Sequence, residues 1–329
     1  MATAGTGTMA GGTGATWRIT APAGGTQIEP RLAGYTAYLV QLGSLCAEQS
    51  SRSALPAGRD IRDLAVLSIL AEAPLSQARI GILLDVNRTV MISVIDRLES
   101  AGLVRRERDP ADRRRYALRI AAAGRAVLAT MLESARQADQ ALTAPLTGAE
   151  RQRLNDSLRL IAPDEPGQLP ESLTSQTRFR LDRASRRLRG ERESAMRRLG
   201  LKPRCVRMLV PLDSVQPCTQ ERLAARLGVT SPTIIAAIDE LAASDLIRRS
   251  RNPADRREHQ LTLTPYGEAY LGKALQAEDL AQDRVTSLLG TAETTGLNDL
   301  LTRILIRGHR ADGAHHRTEN PDAPGWLIG

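Results

Sequence analysis

The chain reads as a mainly α-helical protein made of two copies of one unit, each with a single short β-hairpin. Three observations predict this. Aromatic side chains are only 2% of the 329 residues, with Phe179 the one phenylalanine, so the cores must be built from Leu, Ile, Val and Ala. That composition suits helix-on-helix packing better than an aromatic-rich sandwich. Apolar residues recur at spacings of three and four, the helical period. Finally, "VRRERDPADRRRYALRI" (104–120) returns as "IRRSRNPADRREHQLTL" (247–263), 143 residues on.

The elements follow in order. Residues 1–28 are Gly, Thr and Ala without periodicity and read as a disordered tail. From about Pro30, Leu32, Tyr35, Leu39, Leu42 and Cys46 form one apolar stripe, a first helix that "SALPAG" ends. "RDIRDLAVLSILAE" is a second helix. "LSQARIGILL" and "NRTVMISVIDRLESAG" are a third and fourth, with Ser76 and Asn87 as N-caps. The arms "LVRRE" and "YALRI" flank the turn initiator Asp109-Pro110 and make the hairpin. Two Leu/Ala-rich helices follow, about 122–142 and 147–161. Residues 162–172, "APDEPGQLPES", read as a linker between a unit spanning 29–161 and a second spanning 173–310. The polar segment 311–329 reads as a second disordered tail.

The 143-residue offset holds at many anchors. Gln77, Leu84, Val86, Ile95, Asp96 and Leu98 match Gln220, Leu227, Val229, Ile238, Asp239 and Leu241. Pro110–Arg114 match Pro253–Arg257 without a substitution, and Gly124 matches Gly267. Chance does not keep one offset over so many positions, so the chain is an internal duplication.

Helix, helix, helix-turn-helix, hairpin, long helix, long helix, with "RDPADRR" and "RNPADRR" in the hairpins, resembles the MarR family of winged-helix transcription regulators. The resemblance covers about 31–161 and 174–308. It departs from the family pattern at Asp245, which stands where the first copy has Gly102. The resemblance implies a double-stranded DNA partner, with the second helix of each helix-turn-helix in the major groove. It assigns Asn87, Arg88, Thr89 and Ser93 to DNA in the first copy, and Thr230, Ser231 and Thr233 in the second. Arg88 suits a guanine or a phosphate, whereas Asn87 has the competing role of cap. The wing tips add Arg113, Arg114, Arg256 and Arg257, with Asp112 and Asp255 placed to orient them. Arginine suits a narrow, electronegative minor groove. The family is normally a homodimer, so two copies in one chain imply an intramolecular pseudo-dimer. Leu39, Leu42, Leu154, Leu158 and Ile161 are expected to pack there with Leu297, Leu301, Ile304 and Leu305. The resemblance also implies a repressor released by a small phenolic effector.

The remaining chemistry is sparse. The formal net charge of +8 is carried almost wholly by arginine, with Lys202 and Lys273 the two lysines, and is compatible with a polyanion. Cys46, Cys205 and Cys218 have neither metal-site spacing nor an even disulfide set, which fits a reducing, cytoplasmic setting. Cys46 reads as a core residue on the apolar stripe; a peroxide-sensing role, found in some members of the family, is the lesser reading. His309, His315 and His316 read as a polar tail, not a metal site. No secretory signal or membrane-spanning run is expected. No catalytic set or cofactor site stands out, which argues against an enzyme. The arginine-rich helix at 174–199 reads as a solvated face, with a track for phosphates as the rival. Recognition-helix differences (Arg88 to Ser231, Ser93 to Ala236, Arg97 to Glu240) give the first copy the longer positive reach and predict unequal half-sites. The rival function is a ligand- or protein-binding adaptor that kept the fold and lost operator recognition.

Overall fold

The computed structural model describes residues 28–108, 116–164, 168–227, 231–251 and 259–315, with the side chains of 231–233 and 307–315 outside that description. A 3-10 turn, Pro30–Leu32, leads into α1 (Thr36–Ala54). Then come α2 (Ile61–Glu72), α3 (Gln77–Leu84), α4 (Arg88–Ser100), β1 (Val104–Arg108), β2 (Tyr116–Ile120), α5 (Ala122–Thr143) and α6 (Gly148–Ile161). The short α7 (Glu171–Thr174) opens the second copy. It continues with α8 (Thr177–Arg198), α9 (Pro203–Val215), β3 (Cys218–Thr219), α10 (Gln220–Leu227) and α11 (Ser231–Ala243). It closes with β4 (Ile247–Arg251), β5 (His259–Leu263), α12 (Pro265–Leu289) and α13 (Thr291–His315). The fold is mainly helical, with two winged helix-turn-helix units in tandem.

Local sequence explains the helix starts. Asp60 accepts from the backbone of Arg62 and Asp63 while Asp63 bonds back to Asp60, a capping box at α2. Ser76 caps α3, and Asn87 caps α4 by accepting from Val90 N at 2.9 Å. The hairpins pair antiparallel, Val104 with Ile120 and Ile247 with Leu263. Each gains a third edge ahead of the helix-turn-helix: Leu75 bridges Leu118, and Cys218 pairs with Leu261 at the matching place.

Among the described residues, three apolar clusters hold the structure together. Leu64, Leu67, Ile80, Met91, Ile95, Leu98 and Met131 centre the first unit, and Leu173 and Phe179 from beyond 172 complete it. Leu209, Leu212, Leu223, Ile234, Ile238 and Leu261 centre the second, with Leu32 from the chain's start. The third cluster mixes the copies: Leu39, Val40, Leu154, Leu158 and Ile161 with Leu181, Ala184, Leu297, Leu301, Ile304 and Leu305. Leu42 and Cys46 pack at its edge.

Two expectations need correction. α13 runs to His315, past the point at 311 where the sequence reading begins a disordered tail. A helix already propagating from a leucine-rich segment crosses Ala311 and Ala314 at little cost, because extension is far easier than nucleation. The arginines of α8 are neither a solvated face nor a phosphate track as a set. Arg178 and Arg180 are buried, and Arg183, Arg186 and Arg192 are largely covered. The outward Arg187 with Glu191 and Arg197 with Glu193 make the expected i,i+4 surface pairs, and the largely covered Arg186 makes one with Asp182. Next to α8, the segment after α6 is tied down: Asp164 pairs with Arg180 and Arg183.

Candidate nucleic-acid interface

Each helix-turn-helix is set by its buried face. In α4, Met91, Val94, Ile95 and Leu98 enter the core, which leaves Asn87, Arg88, Thr89, Ile92 and Ser93 exposed. The turn before it passes through Asp85 in the left-handed region at φ 52°, a conformation acidic and amide side chains tolerate. Asn87 has its side-chain oxygen committed to the cap, so its amide N–H groups face outward. In α11, Ile234, Ile238 and Leu241 are buried, while Ile235 and Ala236 are exposed. Ser231 and Thr233 fall in its first turn with side chains outside the description, and Thr230 lies outside the described residues. So do the wing-tip residues Asp112, Arg113, Arg114, Asp255, Arg256 and Arg257.

The wing bases are described, and they reveal pairs the sequence reading missed. Arg106 on β1 reaches Asp96 at 2.9 Å and Glu99 at 3.2 Å on the recognition helix. Arg249 on β4 pairs with Asp239 at the matching place in the second unit. Each wing is therefore pinned to its recognition helix by an arginine of its first strand. The matched pairs Arg106/Arg249 and Asp96/Asp239 were the available signal, since both partners recur at the 143-residue offset.

The turn after each recognition helix is equally matched. Gly102 adopts φ 70° and Asp245 adopts φ 54°, so the substitution keeps the same left-handed turn. The Thr264 hydroxyl donates to the Asp245 carbonyl, holding that turn against the next helix. The repeated glycines have a steric cause. A Cβ on Gly124 would lie 2.2 Å from the Leu103 carbonyl oxygen, and one on Gly267 would lie 1.9 Å from that of Leu246.

Arg97, expected to lend positive reach, is otherwise engaged. It turns back to Asp60 at 2.9 Å and to the fully buried Asp63 at 2.5 Å. Burial pushes the Asp63 carboxyl up, opposed by this arginine. In the second unit the polarity is reversed: Glu240, at the Arg97 position, pairs with Arg204 at the start of α9.

The copies also hold each other. Asp139 of α5 accepts from the Arg178 and Thr177 backbone and so caps α8; burial pushes its carboxyl up. At the equivalent place in α12, Gln282 accepts from Thr36 N at 2.8 Å and caps α1. Arg186 donates to the carbonyls of Leu84 (2.6 Å) and Asp85 (3.2 Å), fastening α8 to the helix-turn-helix corner of the first unit. On α1, Gly43 stands at the place of Arg186, and a different link, an ion pair between Glu29 ahead of α1 and Arg226 of α10 at 2.7 Å, joins the copies. Near the far end of the molecule, Glu150 meets Arg303 at 2.6 Å and Arg153 meets Glu293 at 2.9 Å.

Two MarR-family models match the chain, one over residues 57–115 and the other over 202–259, each spanning one helix-turn-helix and running into its hairpin. The chain belongs to the MarR family. Its MarR units stand in tandem, as a duplication requires. A curated Thauera aromatica protein, assigned provisionally to regulation of the hcr operon, is 37% identical over 87 residues, 26% of this chain. The chain spans about half the length of that relative (52%). Among solved structures, the CouR repressor bound to a 23-mer DNA duplex is 31% identical, covering 41% of this chain and 95% of its own, with a TM-score of 0.38. The PcaV regulator of Streptomyces coelicolor, in complex with its natural ligand, is 28% identical, covering 35% and 82%, with a TM-score of 0.33. Among the described residues no group of three or more His, Cys, Asp or Glu forms a metal site, and no helix is long and apolar enough to cross a membrane.

Proposed function

We propose that this MarR-family chain is a sequence-specific regulator of transcription that binds double-stranded DNA as a single-chain pseudo-dimer. The observation that carries the reading is one chain presenting two recognition helices, each pinned to its own wing by an arginine–aspartate pair. Cross-copy capping by Asp139 and Gln282 favours pairing within the chain. In this reading Asn87, Arg88, Thr89 and Ser93 read one half-site, and Thr230, Ser231 and Thr233 read the other. Arg113, Arg114, Arg256 and Arg257 enter the flanking minor grooves, oriented by Asp112 and Asp255.

The operator is an imperfect palindrome with unequal arms. Arg88 gives the first unit a long cationic donor that the second lacks, and that difference stands without Arg97. Repression by occlusion of a promoter, relieved by a small phenolic effector, is the regulatory sign we assign. A cleft between α5, α6 and the α7–α8 turn, lined by Leu132, Arg136, Asp139, Arg151 and Gln176, is a place for such a ligand's anionic end.

The test is selection of binding sites from random DNA by the full chain, followed by mutation of each half-site in turn at several salt concentrations. The expected result is a two-arm consensus, a larger penalty on the arm read by the first unit, and an affinity that falls steeply with salt. On the selected site, Arg113→Ala or Arg256→Ala should each weaken binding by about 1–3 kcal/mol. A protein that selects no sequence is instead an adaptor; a symmetric consensus with equal penalties overturns the asymmetry.

A further inference from the structure

The recognition helices share one exposed feature that neither charge nor hydrogen bonding explains. Ile92 is 40% exposed and Ile235 is 43% exposed. They are 143 residues apart, so they hold the same place in the two copies. The other large apolar side chains found exposed have no such counterpart. Across the repeat, Ile82 corresponds to Ala225, Tyr116 to His259, Tyr266 to Ala123, and Leu288 to Pro145. Isolated exposed apolar residues are ordinary on a protein surface, but a matched pair on a surface otherwise free to diverge asks for a cause.

The position supplies one. Ile92 is four residues after Arg88 and three after Thr89, so helical geometry puts all three on one face, with Ser93 beside them. Met91, Val94 and Ile95 on the other face are buried, which fixes the outward direction. Ile235 sits likewise one turn into α11, next to the exposed Ala236. A recognition helix entering the major groove brings its first two turns against base edges. One base edge there is apolar: the C5-methyl group of thymine. A branched aliphatic side chain cannot satisfy a base's donors or acceptors, but it can shelter that methyl group from water.

We infer that Ile92 and Ile235 are thymine readers, each packing on a C5-methyl group in its own half-site, so that both arms of the operator carry a thymine at the equivalent position although they differ elsewhere. This rests on the DNA-binding reading above and deepens it. The hydrogen-bonding positions of the two helices diverge (Arg88 to Ser231, Ser93 to Ala236), whereas the apolar position does not. The shared thymines are therefore the symmetric part of an otherwise unequal site.

The experiment uses the intact protein and the duplex it selects from random DNA. Each thymine is replaced in turn by deoxyuridine, which deletes the methyl group and nothing else, and affinity is measured by fluorescence anisotropy at fixed salt. One thymine in each arm should show about a three- to fivefold loss, the worth of one buried methyl group. Ile92→Ala should bind the unmodified duplex more weakly by a similar factor and become indifferent to uracil in the first arm while keeping its sensitivity in the second. Ile235→Ala should do the converse. A duplex indifferent to uracil throughout, or a uracil penalty that persists unchanged in both variants, overturns the inference and leaves DNA binding standing. Failure to select any duplex overturns the DNA-binding reading, and this inference with it.

Discussion

The two units solve one packing problem with opposite charges. In the first, the middle of the recognition helix is anchored by a cation, Arg97, reaching carboxylates at the start of α2, one of them fully buried. In the second, Glu240 occupies that place and reaches a cation, Arg204, at the start of α9. What persists between the copies is a link between the same two helices, not the residue type at either end. A sequence comparison sees an Arg-to-Glu reversal on a recognition helix and reads it as a change in DNA contact. The geometry shows a structural tie whose polarity has turned over. The wing pins behave differently: Arg106–Asp96 and Arg249–Asp239 keep both partners and both signs.

The equivalence of the units is most exposed to failure where they agree. Gly124→Ala and Gly267→Ala should each destabilise the protein by about 3 kcal/mol or more, because the added carbon meets a backbone carbonyl that cannot step aside. Thermal melts of the two variants check this. A wild-type melting temperature for either would mean that the helix-to-wing junction is not held alike in both units.

The reversed ion pair gives the next largest effect and separates the units. Arg97→Ala strands Asp63 in the core and should cost about 2 kcal/mol. Glu240→Ala breaks a half-exposed pair and should cost under about 1 kcal/mol. The pH dependence sharpens the contrast. Burial already holds the Asp63 carboxyl above its unfolded value, so the folded state binds the proton more readily. Without Arg97 that bias grows. The penalty is then fully present above the folded-state pKa and is relieved as pH falls through it. Melting the Arg97→Ala variant from pH 7 downward should show its deficit against wild type shrinking; a deficit that is constant with pH would place the loss elsewhere.

The smallest effect concerns the crossed caps. Asp139→Asn replaces the cap of α8 with the neutral chemistry that Gln282 already uses at α1. An amide oxygen still accepts from the backbone of α8, so stability at neutral pH should change by less than about 1 kcal/mol. What should disappear is the rise in stability that the buried carboxyl, held above its ordinary value, contributes as pH falls through its folded-state pKa. Urea titrations of both proteins at two pH values measure this difference.

How much of this was legible in advance follows the range of each interaction. Ser76 and Asn87 are caps because their partners lie three residues away, so the sequence carries the whole motif. The repeated Gly124 and Gly267 announced a special backbone site, although only the fold identifies the carbonyls they make room for. Arg97 and Arg186 were not legible. Each looks like a surface cation, and its partner is fixed by where another helix or strand lands. Asp139 and Gln282 stand at equivalent positions but share no residue type, so a search for identical anchors passes over them. Asp245 was legible as a departure from glycine, but its left-handed turn, held by Thr264, was not.

The exchange of core residues between the copies sets an order of events during synthesis. Leu173 and Phe179 belong to the first unit's core yet lie beyond its last long helix. A nascent chain that has just released α6 from the ribosome has every helix of that unit but not the side chains that close its apolar centre. It must wait, partly open, for roughly twenty more residues. The second unit faces no such delay, because Leu32, its borrowed piece, was made first.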